Sequence, residues 1–552
     1  MFRPSVFFPV IGAALFAARA LAQDVTATSD TPQMQFGEKI FGEKCALCHQ
    51  VTGQGVPTVY PPLAGSDFFL KDRARAIRIL CEGLSDRITV LGQTYSNIMP
   101  VQVLDDGQVA DVLTYASNSW GNHLPPFTAD EVKNARQTTK YSTFEELLKV
   151  TTYHPLPKPP EGWTVREVAQ VPDFCTRLAS NGKGKVYALG QNGTIYYLDQ
   201  QAGAVAPIIK AADYLDPSRG DLSALGMTQD AEGRLLWVTN QRVTMEGEKY
   251  FQNEVIIYRT SEMVNDQPAK PKPWLKTHYP FGVGPYNHGV STMLFGPDGM
   301  LYVNSGSRTD GGEAGTDPHF YPGGEVELTA GIWRLDPRTE NPKIEMMVHG
   351  IRNAFGFNWD AQGRLFSVTN GPDFSAPEEM DLVEPGKHYG FPYQFSDWPV
   401  KPHFPYSYTP PPPPGVEFTL PVENYGPAGG GSEYAPLATF DAHSSPAGMI
   451  WCGDDFPAPL RGGFLITRYG NLLGPPASPE DVGFDVLFCT LEQKEGKWRA
   501  HVTTVLAPLG RPIDIIHNGP GKALILEYTR PTNFREKIGW MPGRILELAP
   551  AK

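Results

Sequence analysis

The chain has 552 residues, 41% hydrophobic and 19% charged, with a formal net charge of −13. That length and apolar content can fill more than one core and exclude a disordered chain. The acidic balance excludes a nucleic-acid binder and leaves a solvated acidic surface suited to a basic redox partner.

Residues 1–23 read as a secretory signal: Arg3 near the start, an apolar run from Val6 to Ala18, and Ala20-Leu21-Ala22 before Gln23. The run is too short to span a bilayer, and no later stretch reaches about eighteen uninterrupted apolar residues. The expectation is an exported, periplasmic protein with no permanent membrane span.

Phe36 and Ile40, at i and i+4, with Phe41 alongside, predict an amphipathic helix that runs into Cys45-Ala-Leu-Cys48-His49. Cys-x-x-Cys-His is the attachment signature of a c-type haem: both thiols add to the porphyrin vinyl groups and the adjacent imidazole reaches the iron. Met99, in Tyr95-Ser-Asn-Ile-Met-Pro100, is the candidate sixth ligand, because a thioether raises the iron potential and suits electron transfer. His123, in Asn-His-Leu-Pro-Pro, is the rival ligand, and a plain core role for Met99 is the other alternative. Asp105 or Asp106 can cap a helix carrying Val109, Val112, Leu113 and Ala116, with Gly121 beyond its end. Residues 32–122 together resemble a class I cytochrome c.

Residues 123–163 are punctuated by Pro125, Pro126, Pro155, Pro157, Pro159 and Pro160 around one short helix near Phe144–Val150, the composition of an interdomain linker. A phrase then recurs: Gly184-Lys-Val-Tyr-Ala, Gly233-Arg-Leu-Leu-Trp-Val, Gly299-Met-Leu-Tyr-Val, Gly363-Arg-Leu-Phe-Ser-Val, Gly463-Phe-Leu-Ile and Gly521-Lys-Ala-Leu-Ile-Leu. Each is a glycine turn leading into an apolar strand. Six such units over residues 164–552 predict an all-β six-bladed propeller behind a small all-α domain, with a Pro/Gly-rich insertion near 401–432. Cys81, Cys175, Cys452 and Cys489 remain after haem attachment, either as one or two disulfides or as buried thiols.

The sharpest signal in the second domain lies between Val348 and Pro392: His349-Gly-Ile-Arg-Asn-Ala-Phe-Gly-Phe357, Asn370-Gly-Pro-Asp373, and Glu379-Met-Asp-Leu-Val-Glu-Pro-Gly-Lys-His-Tyr-Gly-Phe-Pro392. With His288 eight residues before Gly296-Pro-Asp-Gly299, these elements resemble the glucose/sorbosone dehydrogenase family, soluble sugar dehydrogenases that use pyrroloquinoline quinone (PQQ). The resemblance implies that His288 is the general base, that Arg352 and Asn353 face the quinone oxygens, and that Gly371 and Pro372 hold a calcium ion through their carbonyls. It implies a cofactor-carboxylate role for Arg511. Arg468 stands where the family's sugar oxidisers carry a lysine, and Ile513 where a second arginine is expected.

The two halves predict one circuit. A sugar, aldehyde or alcohol is oxidised at the quinone, and single electrons pass through the haem to an external acceptor, another cytochrome or a quinone-linked chain. The alternatives are an electron-transfer cytochrome fused to a non-catalytic ligand-binding propeller, and a calcium-dependent hydrolase using carboxylates such as Asp221, Asp373 and Glu379.

Overall fold

The computed structural model describes residues 31–56, 59–151, 155–180, 184–261, 271–283, 287–313, 318–373, 376–396, 398–399, 411–471, 482–530 and 541–551. The secretory-signal reading of residues 1–23 and the first part of the insertion lie outside them.

In the N-terminal domain, the helix Pro32–Lys44 starts where the Thr31 side chain accepts from the Met34 N–H. It crosses the helix Asp106–Ala116, which opens with a capping box formed by Asp105 and Gln108. The crossing is close because of Gly37, where an added Cβ would sit 2.2 Å from the Asp111 carbonyl oxygen. Ile40 and Phe41 pack there with Ile77, Leu80, Val109 and Leu113. Phe36 departs from the amphipathic expectation and is 60% exposed, because the helix is turned to bring Gly37 rather than Phe36 against its partner.

The proline-rich stretch after residue 122 is not all linker. Phe127 and Val132, the latter on the helix Ala129–Arg136, are buried in the same core. Arg73 holds this segment down, donating to the Pro125 and Pro126 carbonyls and to Glu131, with its guanidinium 3.7 Å from the Phe127 ring centroid. Residues 125–136 thus pack onto the haem-type domain, and the stretch also contains the helix Phe144–Val150.

The second domain is a six-bladed propeller. The first strands of the blades are Cys175–Ser180, Leu222–Gln229, Val290–Phe295, Gly356–Trp359, Pro446–Cys452 and Pro512–His517; each touches the first strands of both neighbouring blades, so they close a ring. The recurring glycine phrase introduces the second strand of every blade: Val186–Gly190, Leu235–Val243, Leu301–Ser305, Leu365–Thr369, Gly463–Arg468 and Ala523–Glu527. The fourth blade has three strands, and the fifth gains an outer strand, Glu423–Pro427, paired in parallel with Lys497–Leu506. In the sixth, three C-terminal strands are completed by Trp163–Gln170, which precedes the first blade in sequence and ties the ring shut.

At the axis, Arg177 donates to Leu225 O at 2.9 Å and Phe355 O at 2.8 Å, to the Thr292 hydroxyl, and to Asp514 at 3.4 Å. One guanidinium thus joins the first blade to the second, third, fourth and sixth. Cys81, Cys175, Cys452 and Cys489 are buried thiols in four separate core clusters, too dispersed to pair.

Candidate active site

The haem motif is built by a helix end. The Cys45 N–H donates to Phe41 O at 2.8 Å and the His49 N–H to Cys45 O at 2.9 Å, so the motif continues the helical path through the short helix Ala46–His49. Burial pushes the Cys45 thiol up to about 12 and the Cys48 thiol up to about 11. Burial also lowers the His49 imidazole, keeping it neutral, and its Nδ1 lies 2.9 Å from Pro61 O. Nδ1–H donating to that carbonyl leaves Nε2 with the lone pair an iron needs. Met99 exchanges two 2.8 Å backbone hydrogen bonds with Leu84 and packs against the same core as Cys45 and Ala46. His123 is exposed beyond the helix Asp106–Ala116. The donor set fits a covalent haem. Sequence reasoning missed Tyr60, whose hydroxyl bonds the Cys48 sulfur.

In the propeller, strands alternate in direction from the ring outward, so connections entering a first strand and those joining second to third strands open at the same end. His288 precedes the third blade's first strand, Arg352 and Asn353 the fourth's, and Arg511 the sixth's. Gly371 and Pro372 lie between the second and third strands of the fourth blade, and Arg468 ends the second strand of the fifth. Every candidate side chain of the second domain therefore stands at one mouth.

His288 Nδ1 lies 3.1 Å from Ser307 O and 3.0 Å from Ser307 Oγ. Ser307 Oγ spends its hydrogen on Thr309 O at 2.8 Å, so Nδ1–H donates to the carbonyl and Nε2 is the basic nitrogen. His288 meets Asn353 over Gly306, where an added Cβ would lie 2.5 Å from the His288 Cβ and 3.2 Å from Asn353 Oδ1. Next to Asn353, Arg352 is held by Asp310, with Nη2 2.6 Å from Oδ1 and Nε 3.0 Å from the Asp310 carbonyl; its Nη1 donates to Asn370 O at 3.2 Å. Burial pushes the Asp310 carboxyl up to about 7, against the pull of Arg352. Asp310 also accepts from the Asp373 N–H at 3.0 Å, so one carboxylate fixes both the arginine and the Gly371-Pro372 turn.

Glu378 anchors that turn from the other side, accepting from the Gly371 N–H at 2.6 Å and the Ser445 N–H at 3.3 Å. The loop at His443–Ser445 leads on to the arginines of the later blades. The Tyr469 and Gly470 N–H groups donate to Ser445 O and Ser444 O, and Gly470 O and Asn471 O accept from Arg511. His443, Ser445 and Arg511 all have left-handed backbones, with φ of 65°, 51° and 57°, conformations that side-chain-bearing residues keep where packing over-determines them. Arg468 forks onto Asp485 at 2.6 and 2.8 Å and reaches Asp441 at 3.2 Å. Ser307 and Asp310 escaped sequence reasoning because each acts through a partner distant in the chain, and Glu378 because it acts on backbone N–H groups that no residue type announces.

Buried polar atoms at the mouth have no hydrogen-bond partner among the described residues: Asp310 Oδ2, Asn370 Oδ1, Thr369 Oγ1 and Ser444 Oγ. On the fourth blade both Asp381 oxygens are buried without a partner beside Glu379, and burial raises both carboxyls. Such orphaned acceptors, with two arginines, fit an anionic polar cofactor accompanied by a divalent cation. Among the described residues, no three His, Cys, Asp or Glu side chains converge as a metal-binding group, so Asp221, Asp373 and Glu379 do not form the carboxylate cluster a hydrolase would use.

The glucose/sorbosone dehydrogenase family matches residues 176–401, and the cytochrome c family matches residues 34–120. Over 110 residues the chain is 39% identical to cytochrome c-552 of Thermus thermophilus, an alignment covering 18% of this chain and 83% of that protein. It is 28% identical over 110 residues to the cytochrome c subunit of a quinone alcohol dehydrogenase of Gluconobacter oxydans, covering 18% of this chain and 22% of that one. The solved structure of the PQQ-bound form of aldose sugar dehydrogenase from Streptomyces coelicolor superposes with a TM-score of 0.46 at 18% identity, covering 71% of this chain and 99% of that one.

Proposed function

From a chain whose N-terminal domain belongs to the cytochrome c family and whose propeller carries a glucose/sorbosone dehydrogenase domain, we propose a quinohaemoprotein dehydrogenase that oxidises an aldose sugar or a related aldehyde or alcohol. The observation that carries this reading is the tautomer of His288, set by Ser307, at the mouth it shares with Arg352 and Asn353.

PQQ, when bound with calcium, supplies an electrophilic quinone that accepts hydride from the substrate carbon. His288 Nε2 takes the proton of the substrate hydroxyl, and Nδ1–H stays on the Ser307 carbonyl, which steadies the imidazolium that forms. Arg352, immobilised by Asp310, presents fixed positive charge where negative charge develops, and Asn353 adds a neutral hydrogen bond. Arg511 is the cation for a cofactor carboxylate, and Arg468 a second whose charge Asp485 and Asp441 already share. Gly371 and Pro372 offer carbonyl oxygens to calcium on a turn fixed by Glu378 and Asp310. In the first domain Cys45 and Cys48 would tether a haem, His49 and Met99 would ligate its iron, and the haem would supply one-electron exchange with an external acceptor. No described helix is long and apolar enough to cross a membrane, and we place the protein in the periplasm on the reading of residues 1–23.

The test is haem-loaded protein reconstituted with calcium and PQQ and offered a panel of aldoses, aldehydes and alcohols while haem reduction is followed. Reduction that requires both quinone and substrate is expected. His288→Ala should slow it by about 10²–10⁴-fold and leave dithionite reduction intact. No quinone retention and no reduction across the panel would leave a cytochrome fused to a non-catalytic propeller.

A further inference from the structure

We propose that the seat of the haem domain on the propeller mouth is the electron-transfer contact itself, with Tyr60 as its junction and Lys39 and Lys44 as its docking charges. This deepens the relay of the preceding section and rests on it.

The haem domain meets the propeller at the mouth and nowhere arbitrary. Lys44, the last residue before the Cys45 motif, places Nζ 5.3 Å from the centroid of Phe174, which leads into the first blade. Met541 packs with Val101, Val103, Tyr141 and Leu147, so the segment just after Met99 also rests on the propeller. Arg530 donates to Thr151 O at 3.0 Å. Arg530 and Met541 flank the connection between the second and third strands of the sixth blade, which opens at the same end as His288 and Gly371. Both segments expected to ligate iron are thus held against the mouth.

Charge agrees with this seat. Asp173, Asp221 and Asp373 stand on mouth connections of the first, second and fourth blades. Each senses a residue of the haem domain: the Lys39 charge counters the burial that raises Asp173, and Asp221 and Asp373 add to the burial that raises Tyr115 and Tyr60 respectively. Tyr60 links the two sides: its hydroxyl bonds the Cys48 sulfur, and it stands in the field of Asp373, the residue after Gly371-Pro372. A haem tethered at Cys48 would therefore be joined through Tyr60 to the Gly371-Pro372 side of the mouth. In each transfer one electron would leave the two-electron-reduced quinone, with one proton released to solvent, and one ferric haem would become ferrous; a one-electron oxidant such as ferricyanide would take that electron before the second electron and proton follow. Tyr60 ends each transfer as it began.

The test uses the full haem-loaded chain with PQQ and calcium. Anaerobic stopped-flow reads substrate-driven haem reduction, a soluble dye reads sugar oxidation directly at the propeller, and hydrogen exchange reads protection of residues 171–175. Lys39→Glu with Lys44→Glu should slow haem reduction by about tenfold or more, leave dye reduction unchanged and remove the protection. Adding Asp173→Lys should restore rate and protection together. Tyr60→Ala should slow haem reduction by about tenfold with protection retained, separating the junction from the docking charges. Haem reduction at the native rate in the double lysine variant, or in Tyr60→Ala, overturns the proposal. If the native protein reduces dye but never its own haem, the relay fails first and takes this contact with it.

Discussion

Gly306→Ala tests the site without touching any group that reacts. Gly306 has no left-handed backbone, so alanine adds one methyl and nothing else. That methyl would lie 2.5 Å from the His288 Cβ, 3.1 Å from Gly289 O and 3.2 Å from Asn353 Oδ1. Carbon atoms in contact settle at about 3.5–4.0 Å, so His288 has to retreat by about 1 Å. A displacement of that size in a catalytic group costs on the order of 10²-fold in turnover, and overpacking costs about 1–3 kcal/mol in stability. Substrate-driven haem reduction in the reconstituted variant should fall by that factor while the dithionite-reduced haem spectrum and a cooperative thermal transition persist. A folded variant turning over within about twofold of the native rate would show that the placement of His288 over Gly306 has no part in the reaction, and the base assignment would fall.

Met99→His should keep the haem six-coordinate and lower its midpoint potential in a redox titration; an unchanged potential would mean that Met99 does not reach the iron. His388 is lowered to about 4 by burial and then by His349, and its Nδ1 accepts from the Gly390 N–H at 3.1 Å, so the native state favours the neutral ring. Its contribution is full above about pH 6.5 and is lost as pH falls from there through about 4; His388→Gln should flatten the thermal midpoint across that window, and an unaltered slope would refute the assignment. Arg177→Met leaves the buried Asp514 without its cation and should cost about 3–5 kcal/mol by denaturant titration, most of it recovered when Asp514→Leu is added; a single-variant cost below about 1 kcal/mol would refute the clamp.

The repeat was legible because each blade needs the same local device, a glycine turn with positive φ ahead of an apolar second strand, as at Gly184, Gly233, Gly299, Gly363 and Gly521. Closure by Trp163–Gln170 was not, since that strand lies before the first copy of the phrase and its partner is Arg544–Pro550 at the far end of the chain. The haem motif carried its own geometry, but the contact of the following stretch with that domain was not legible: proline composition marks a linker, and only packing reveals Phe127 under Arg73. In the second domain the reactive types His288, Arg352 and Asn353 stood out in their phrases. Ser307, Asp310 and Tyr60 matter through a hydrogen bond or a charge delivered by tertiary structure, and no periodicity announces that.

Arg177 has a consequence for traffic. Its guanidinium lies under the mouth, and the axial channel continues on its other side between Met227, Met293, Phe357, Met449 and Ile515. A cation rooted in the first blade and hydrogen-bonded to four others stands as a stopper between that channel and the mouth. In the proposed dehydrogenase, substrate, product, proton and electron would share the mouth on which the haem domain sits, so the cytochrome would also be the doorkeeper.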